Sequence, residues 1–204
     1  MDTKLLNSTE VELVADLLKN NEVVGFPTET VYGLGVIFDS EEAFKKMMEA
    51  KNRPPHKPFT LMCDSINMIK KYVDVNEKVE KLLNKYMPGP LTVLLKSKKE
   101  LPYFVTLGSE YVGIRISSHP FVLNLIKKVG KPLLVPSANK SGEKPLSEYE
   151  DVISVFSGSI SAVVMEDALG ELPSTIIKID DDNIELVRQG SLTFEELNKT
   201  WREL

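Results

Sequence analysis

The sequence predicts an α/β protein with a mixed, twisted sheet. Short apolar runs of β character alternate with helical segments early in the chain, and strand-like runs bunch late in it. Helix starts are marked by capping-box spacings, in which a Thr or Asp is followed three residues later by Glu.

Thr9 with Glu12 opens a helix whose apolar face is Val11, Val14, Ala15, Leu17 and Leu18. Val23-Val24-Gly25-Phe26-Pro27 reads as a buried strand ending at a proline. Asp39 with Glu42 opens a second helix through Ala43, Phe44, Met47 and Met48 to Ala50. Phe59 to Cys63 is a strand, and helices follow over 65–72 and 76–87, the second stopped by Pro88-Gly89-Pro90. Leu91 to Leu95 and Val112 to Ile116 are strands. Phe121 to Val129 is a helix ending at Gly130, and Leu133-Leu134-Val135 is a short strand. Strands at 162–165, 175–179 and 185–188 precede a final helix opened by Thr193 and Glu196.

At 204 residues the chain is expected to form one domain over residues 1–204. No apolar run reaches the roughly 20 residues that cross a bilayer, and the N-terminus lacks a signal-peptide layout. A single cysteine, Cys63, excludes an internal disulfide framework and fits a cytoplasmic location; its place at the end of an apolar run, between Met62 and Asp64, makes it a packing residue. The net charge of -5 argues against a protein that coats nucleic acid by bulk electrostatics. That charge is uneven: residues 1–142 carry a net +4, residues 143–185 a net -9, and residues 186–204 balance.

The cationic part contains a short stiff segment, Lys51-Asn52-Arg53-Pro54-Pro55-His56-Lys57-Pro58. Its prolines fix their own backbone, and pre-organised Lys and Arg suit a polyphosphate. By itself such a cluster is more often a solvated surface loop. Two histidines and one cysteine cannot make a usual zinc site, and no nucleophile elbow, P-loop or dinucleotide fingerprint is present. His119, before Pro120, is expected to cap a helix or face solvent.

Polar clusters recur at the ends of expected strands, where open α/β sheets bind ligands. They are Pro27-Thr28-Glu29-Thr30-Val31-Tyr32-Gly33-Leu34-Gly35, then Lys51-Asn52-Arg53 with Lys57, then Gly113-Ile114-Arg115. Pro136-Ser137-Ala138-Asn139-Lys140-Ser141-Gly142, Pro173-Ser174-Thr175 and Leu186-Val187-Arg188-Gln189-Gly190 complete the series. Each alone has a modest explanation as turn, cap or edge charge. Arg115 is the exception: a guanidinium inside an apolar strand needs an anionic partner or an exit to water.

In this order the clusters resemble the YrdC/TsaC family of L-threonylcarbamoyladenylate synthases, from about Val24 to Gly190, in its short, single-domain form. The resemblance implies a twisted open mixed sheet with flanking helices and a concave cationic cavity. It implies an enzyme, a nucleotidyltransferase that converts L-threonine, bicarbonate or CO2, and ATP to threonylcarbamoyl-AMP and pyrophosphate. ATP would be a substrate, Mg2+ would be carried with it, and no dedicated metal site is expected. A transferase complex downstream would move the group to tRNA. Lys51 and Arg53 would be catalytic and grip the ATP phosphates. Lys57, Ser137, Asn139, Arg188 and Tyr111 would complete nucleotide binding, and Thr30, Arg115 and Ser174 would bind threonine.

The chain departs from the family pattern at Asn52, Ser117, Met62 and Gln189, and by the extra residue Lys144 before Pro145. One competing reading is a module that holds double-stranded RNA or tRNA in the same cavity without chemistry. The acidic balance and the lack of an aromatic–basic array disfavour it, leaving at most weak RNA affinity. Another is a carbamoyl-transfer domain of the hydrogenase-maturation kind, which belongs to far longer, cysteine-rich chains.

Overall fold

The computed structural model describes residues 2–52, 59–98 and 101–204. The elements in chain order begin with β1 (Lys4–Leu6), α1 (Val11–Lys19), β2 (Val24–Phe26), β3 (Gly33–Ile37), α2 (Glu41–Lys51) and β4 (Thr60–Met62). Then come α3 (Ile66–Ile69), α4 (Glu77–Tyr86), β5 (Leu91–Lys96), α5 (Tyr103–Thr106), β6 (Tyr111–Arg115) and α6 (Pro120–Val129). The chain continues with β7 (Leu133–Leu134), α7 (Tyr149–Phe156), β8 (Ala162–Val164), β9 (Thr175–Asp180), β10 (Asn183–Arg188) and α8 (Phe194–Glu203).

The strands form one open mixed sheet in the order β1-β8-β2-β3-β7-β4-β6-β5-β9-β10. The sheet combines parallel pairs (β1 with β8, β2 with β8, β4 with β6, β5 with β9) with antiparallel ones such as β2–β3, β5–β6 and β9–β10. The expected α/β class and flanking helices are therefore present. The first helix buries Val14, Ala15 and Leu18, the stripe its spacing dictates, and packs against α6, β2 and β3. Fully burying a side chain such as Leu18 contributes about 1.5–3 kcal/mol.

The caps show where pattern and structure part. Thr193 does accept from the Glu196 amide at 3.3 Å, opening α8 as its spacing dictates. At α2 the cap is Ser40, whose hydroxyl accepts from Ala43 N at 3.1 Å, while the expected cap Asp39 pairs with Lys131 at 2.7 Å. At α1 the capping position is Glu10, without a side-chain cap bond; its carboxylate instead accepts from Asn7 N at 2.8 Å. Four elements (β1, β3, α5 and α7) are absent from the sequence-based expectation. The third strand escaped because Gly33 and Gly35 dilute an otherwise apolar run, although all five of its residues are buried. Cys63 packs in the core as expected, and burial, then the nearby Asp64, push its thiol up.

His119 corrects its expectation. It occupies the residue before α6 and Pro120 takes the first turn, yet its side chain neither caps nor meets solvent. It is 2% exposed, and its ring nitrogens have no hydrogen-bond partner among the described residues. Glu166 Oε1 lies 3.5 Å from Nε2, and burial holds the imidazole below its ordinary pKa despite the pull of Glu166 and Glu29.

Candidate active site

Strand alternation creates a floor. Leu61, Val93, Ile114 and Ile177 on four neighbouring strands are fully buried in the core. Their neighbours Thr60 and Met62 (β4), Arg115 (β6), Thr92 (β5) and Ile176 (β9) turn to the other face and line a cavity. The register places Met62 beside Arg115 and Thr92 beside Ile176. The walls are Thr28 and Thr30 to Tyr32 between β2 and β3 with Gly33 at the start of β3, Val135 to Ser137 after β7, Pro173 and Ser174 before β9, and Arg188 at the end of β10. Its volume of about 160 Å³ suits one small molecule, with anything larger extending through the mouth.

The wall between β2 and β3 is held by its own hydroxyls. Thr28 Oγ1 accepts from Thr30 N at 3.1 Å and donates to Val31 O at 2.7 Å. With that proton committed, Thr30 Oγ1 must be the donor in its 3.0 Å contact with Thr28 Oγ1. Thr30 Oγ1 in turn accepts from Arg115 Nη2 at 2.9 Å. From outside, Leu169 N bonds Thr28 O at 3.0 Å, and Gly170 lies so close that a Cβ there would sit 2.8 Å from Thr30 O and 2.9 Å from Glu29 O.

Arg115 finds the anionic partner its setting demands. Its Nη2 donates to Glu29 Oε1 at 2.8 Å, and both side chains are 8% exposed. Ser117 Oγ donates to the other Glu29 oxygen and accepts from His119 N at 3.2 Å. Burial pushes the Glu29 carboxyl up, but the Arg115 charge and the hydrogen bonds from Arg115 and Ser117 outweigh it and hold the group below the ordinary range. Glu29 is therefore a carboxylate at neutral pH.

Arg188 supplies a second guanidinium at the rim. Its Nε and Nη2 donate to Ser174 O at 3.2 and 2.8 Å, and Nη2 reaches Ser174 Oγ at 3.2 Å. No carboxylate among the described residues forms an ion pair with it. Burial, then the charge of Arg115, lower its pKa, so the two cations sense one another. Ser174 Oγ also lies 2.9 Å from Thr92 Oγ1. Beneath it, Thr175 Oγ1 donates to Leu192 O at 2.6 Å and accepts from Gly190 N at 3.0 Å and Leu192 N at 3.1 Å.

The wall after β7 is fastened to the end of α2. Lys51 is only 1% exposed, and its ammonium donates to Ser137 O and, at 2.7 Å, to Asn139 O. Lys140 Nζ bonds Ala50 O at 2.6 Å, and Ser141 N bonds Lys51 O at 3.0 Å. These groups satisfy carbonyls that a helix end leaves open. Ser137 Oγ donates to Asn139 Oδ1 at 2.6 Å, while Asn139 Nδ2 closes the turn on Lys140 O and Glu143 O at 2.8 and 3.0 Å.

Of the expected site residues, Thr30, Arg115, Ser137, Ser174 and Arg188 line one cavity. Lys51 and Asn139 stand behind its wall as fasteners. Arg53 and Lys57 lie outside the described residues. Tyr111 is not among the lining residues. Four residues of strand rise, about 13 Å, separate it from Arg115 on the same face. Its ring lies 4.1 Å from Lys178 Nζ and 6.0 Å from Lys96 Nζ. Sequence reasoning missed Thr28, Thr92, Glu29 and Ser117. For Glu29 the signal existed, since Arg115 required an anion and the first polar cluster holds one acid.

The Sua5–YciO–YrdC family model, described as "Telomere recombination", matches residues 16–190. The chain is 38% identical over 194 residues to threonylcarbamoyl-AMP synthase of Bacillus subtilis, covering 94% of this chain and 56% of that protein. It is 33% identical over 197 residues to a putative threonylcarbamoyl-AMP synthase of Methanocaldococcus jannaschii, covering 94% of this chain and 93% of that one. The structure of Pyrococcus abyssi Sua5 complexed with L-threonine superposes with a TM-score of 0.90 at 32% identity, covering 97% of this chain and 61% of that one. The chain thus spans under two thirds of the Bacillus and Pyrococcus proteins.

Proposed function

Because the chain belongs to the Sua5–YciO–YrdC family, we propose that it is a threonylcarbamoyl-AMP synthase that consumes L-threonine, bicarbonate or CO2, and ATP. The observation that carries this reading is the pairing, in one small cavity, of an inner guanidinium among hydroxyls with an outer guanidinium that forms no ion pair with a carboxylate among the described residues. Arg115 anchors the threonine carboxylate, with Thr30 and Ser174 beside it. Arg188 at the rim meets the nucleotide, whose bulk extends through the mouth. Arg53 and Lys57 grip its phosphates on the strength of the sequence alone, and Mg2+ arrives with the triphosphate.

In this reaction the threonine amine attacks CO2 and loses a proton to give a carbamate. A carbamate oxygen then attacks the α-phosphorus, and pyrophosphate leaves. The substrate supplies the nucleophile, so the protein contributes position and charge. Ser137 presents its wall to the phosphates, and Lys51 and Asn139 serve by holding that wall. The product would pass to a transferase acting on tRNA, in the cytoplasm.

Mass spectrometry of the protein incubated with L-threonine, bicarbonate, ATP and Mg2+ tests the reading. Threonylcarbamoyl-AMP and an equal amount of pyrophosphate are expected. ADP, or AMP without the acylated species, would refute it.

A further inference from the structure

We propose that Glu29 makes the cavity selective for amino acids over carboxylates that lack the α-amine. The inference rests on Arg115 as the anchor of the substrate carboxylate.

The guanidinium of Arg115 is already divided. Nη2 is committed to Glu29 and Thr30, and Nε is buried without a hydrogen-bond partner among the described residues. Nη1 makes no bond to them and is left for the cavity that Arg115 lines. An incoming carboxylate must therefore share one cation with Glu29.

Glu29 cannot easily yield its place. Ser117 holds its second oxygen, His119 N holds Ser117, and Gly170 presses on the Glu29 and Thr30 carbonyls. Its carboxylate stays ionised, because Arg115 and these hydrogen bonds outweigh the effect of burial. Glu29 itself is not among the lining residues, so it acts on the ligand through Arg115 and through its field.

Two carboxylates then share the one guanidinium of Arg115, and with Arg188, the other guanidinium lining the cavity, assigned to the nucleotide, the substrate carboxylate leaves an unbalanced negative charge beside Glu29. An α-ammonium on the adjacent carbon cancels that surplus from within the same molecule. At roughly 6 Å and an effective dielectric of about 20, the attraction between that ammonium and Glu29 corresponds to about ten- to a hundredfold in affinity. A simple hydroxy acid lacks the compensation. Glu29 is thus a specificity-determining residue with no contact to the reacting atoms.

Calorimetric titration of the whole chain, with and without a non-hydrolysable ATP analogue, compares L-threonine with (R)-3-hydroxybutyrate, the same skeleton without the amine. Wild type should prefer L-threonine by at least about tenfold. Glu29→Gln keeps the shape and removes the charge, and should cut that preference about tenfold, chiefly by admitting the hydroxy acid. Glu29→Asp should restore it, which a purely structural role would not produce. Equal binding of the two ligands by wild type overturns the inference without recourse to any variant. So does an unchanged preference in a Glu29→Gln protein that melts cooperatively. Wild type that binds neither ligand removes the anchoring role of Arg115, and this inference with it.

Discussion

Replacing Lys51 by Met separates a scaffold role from a chemical one. Met is close in volume but lacks the ammonium that bonds the Ser137 and Asn139 carbonyls. A hydrogen bond to a charged group contributes about 1.5–3 kcal/mol, so the two together are worth about 3–6 kcal/mol gross. Relief of the desolvation of a buried ammonium offsets part of that, leaving a loss of about 2–4 kcal/mol. For a chain of this size each kcal/mol moves Tm by about 2–4 °C, so a fall of about 5–15 °C is expected in scanning calorimetry. Hydrogen exchange should rise across residues 136–142, because the backbone bond from Ser141 N to Lys51 O loses its neighbouring clamp. An unchanged Tm with abolished product formation would refute this reasoning and place the Lys51 charge in the reaction itself.

Gly190→Ala would set a Cβ 2.2 Å from Pro173 O and 2.5 Å from Ser174 C and Thr175 N. Since the obstacles are backbone, a loss of about 1–3 kcal/mol or more and several-fold weaker threonine binding are expected by melting and titration. Thr175→Val removes one donated and two accepted bonds and should cost about 2–4 kcal/mol, read from denaturant midpoints. The pH dependence has a definite sign. His119 has a folded pKa below its ordinary 6.5, so the unfolded chain takes up the proton first and stability present above pH 6.5 is lost as pH falls below it. Glu29, with a folded pKa below 4.5, contributes fully above about pH 4.5 and loses that contribution as pH falls through its folded value. Melting midpoints against pH should therefore flatten just below pH 6.5 in His119→Gln, and only below pH 4.5 in Glu29→Gln.

Periodicity and apolar runs made most of the sheet and helices legible, because their burial follows local spacing. The helix over 77–86 shows this: Asn76 caps it at 2.8 Å from Val79 N, and Val79, Leu82 and Leu83 are buried. Contacts distant in sequence were not legible. Lys51 reads as a phosphate-gripping member of the 51–58 cationic segment, and only the fold shows that α2 carries it to the carbonyls of a loop 86 residues away. Tyr111 and Arg115 share a strand face by parity, yet their separation along the strand assigns them to different surroundings. Asp39 and Ser40 are both competent caps, and the choice between them is made by the tertiary partner Lys131, which takes Asp39.

The reactive groups of the chain point to the division of labour in the proposed reaction. Cys63 and His119 are buried, neither lines the cavity, and burial disfavours the charged form of each. Among the described residues, the polar groups that line the cavity are hydroxyl, backbone and guanidinium, none of which is a ready nucleophile at neutral pH. Such a lining suits a reaction between groups that the ligands bring. An amine that captures CO2 and then meets an activated phosphorus is such a case. Glu29 then has a second consequence: by neutralising Arg115 it keeps the inner cavity near zero charge. Among the described lining residues, the guanidinium without a carboxylate partner is then Arg188 at the rim, where a polyphosphate would approach.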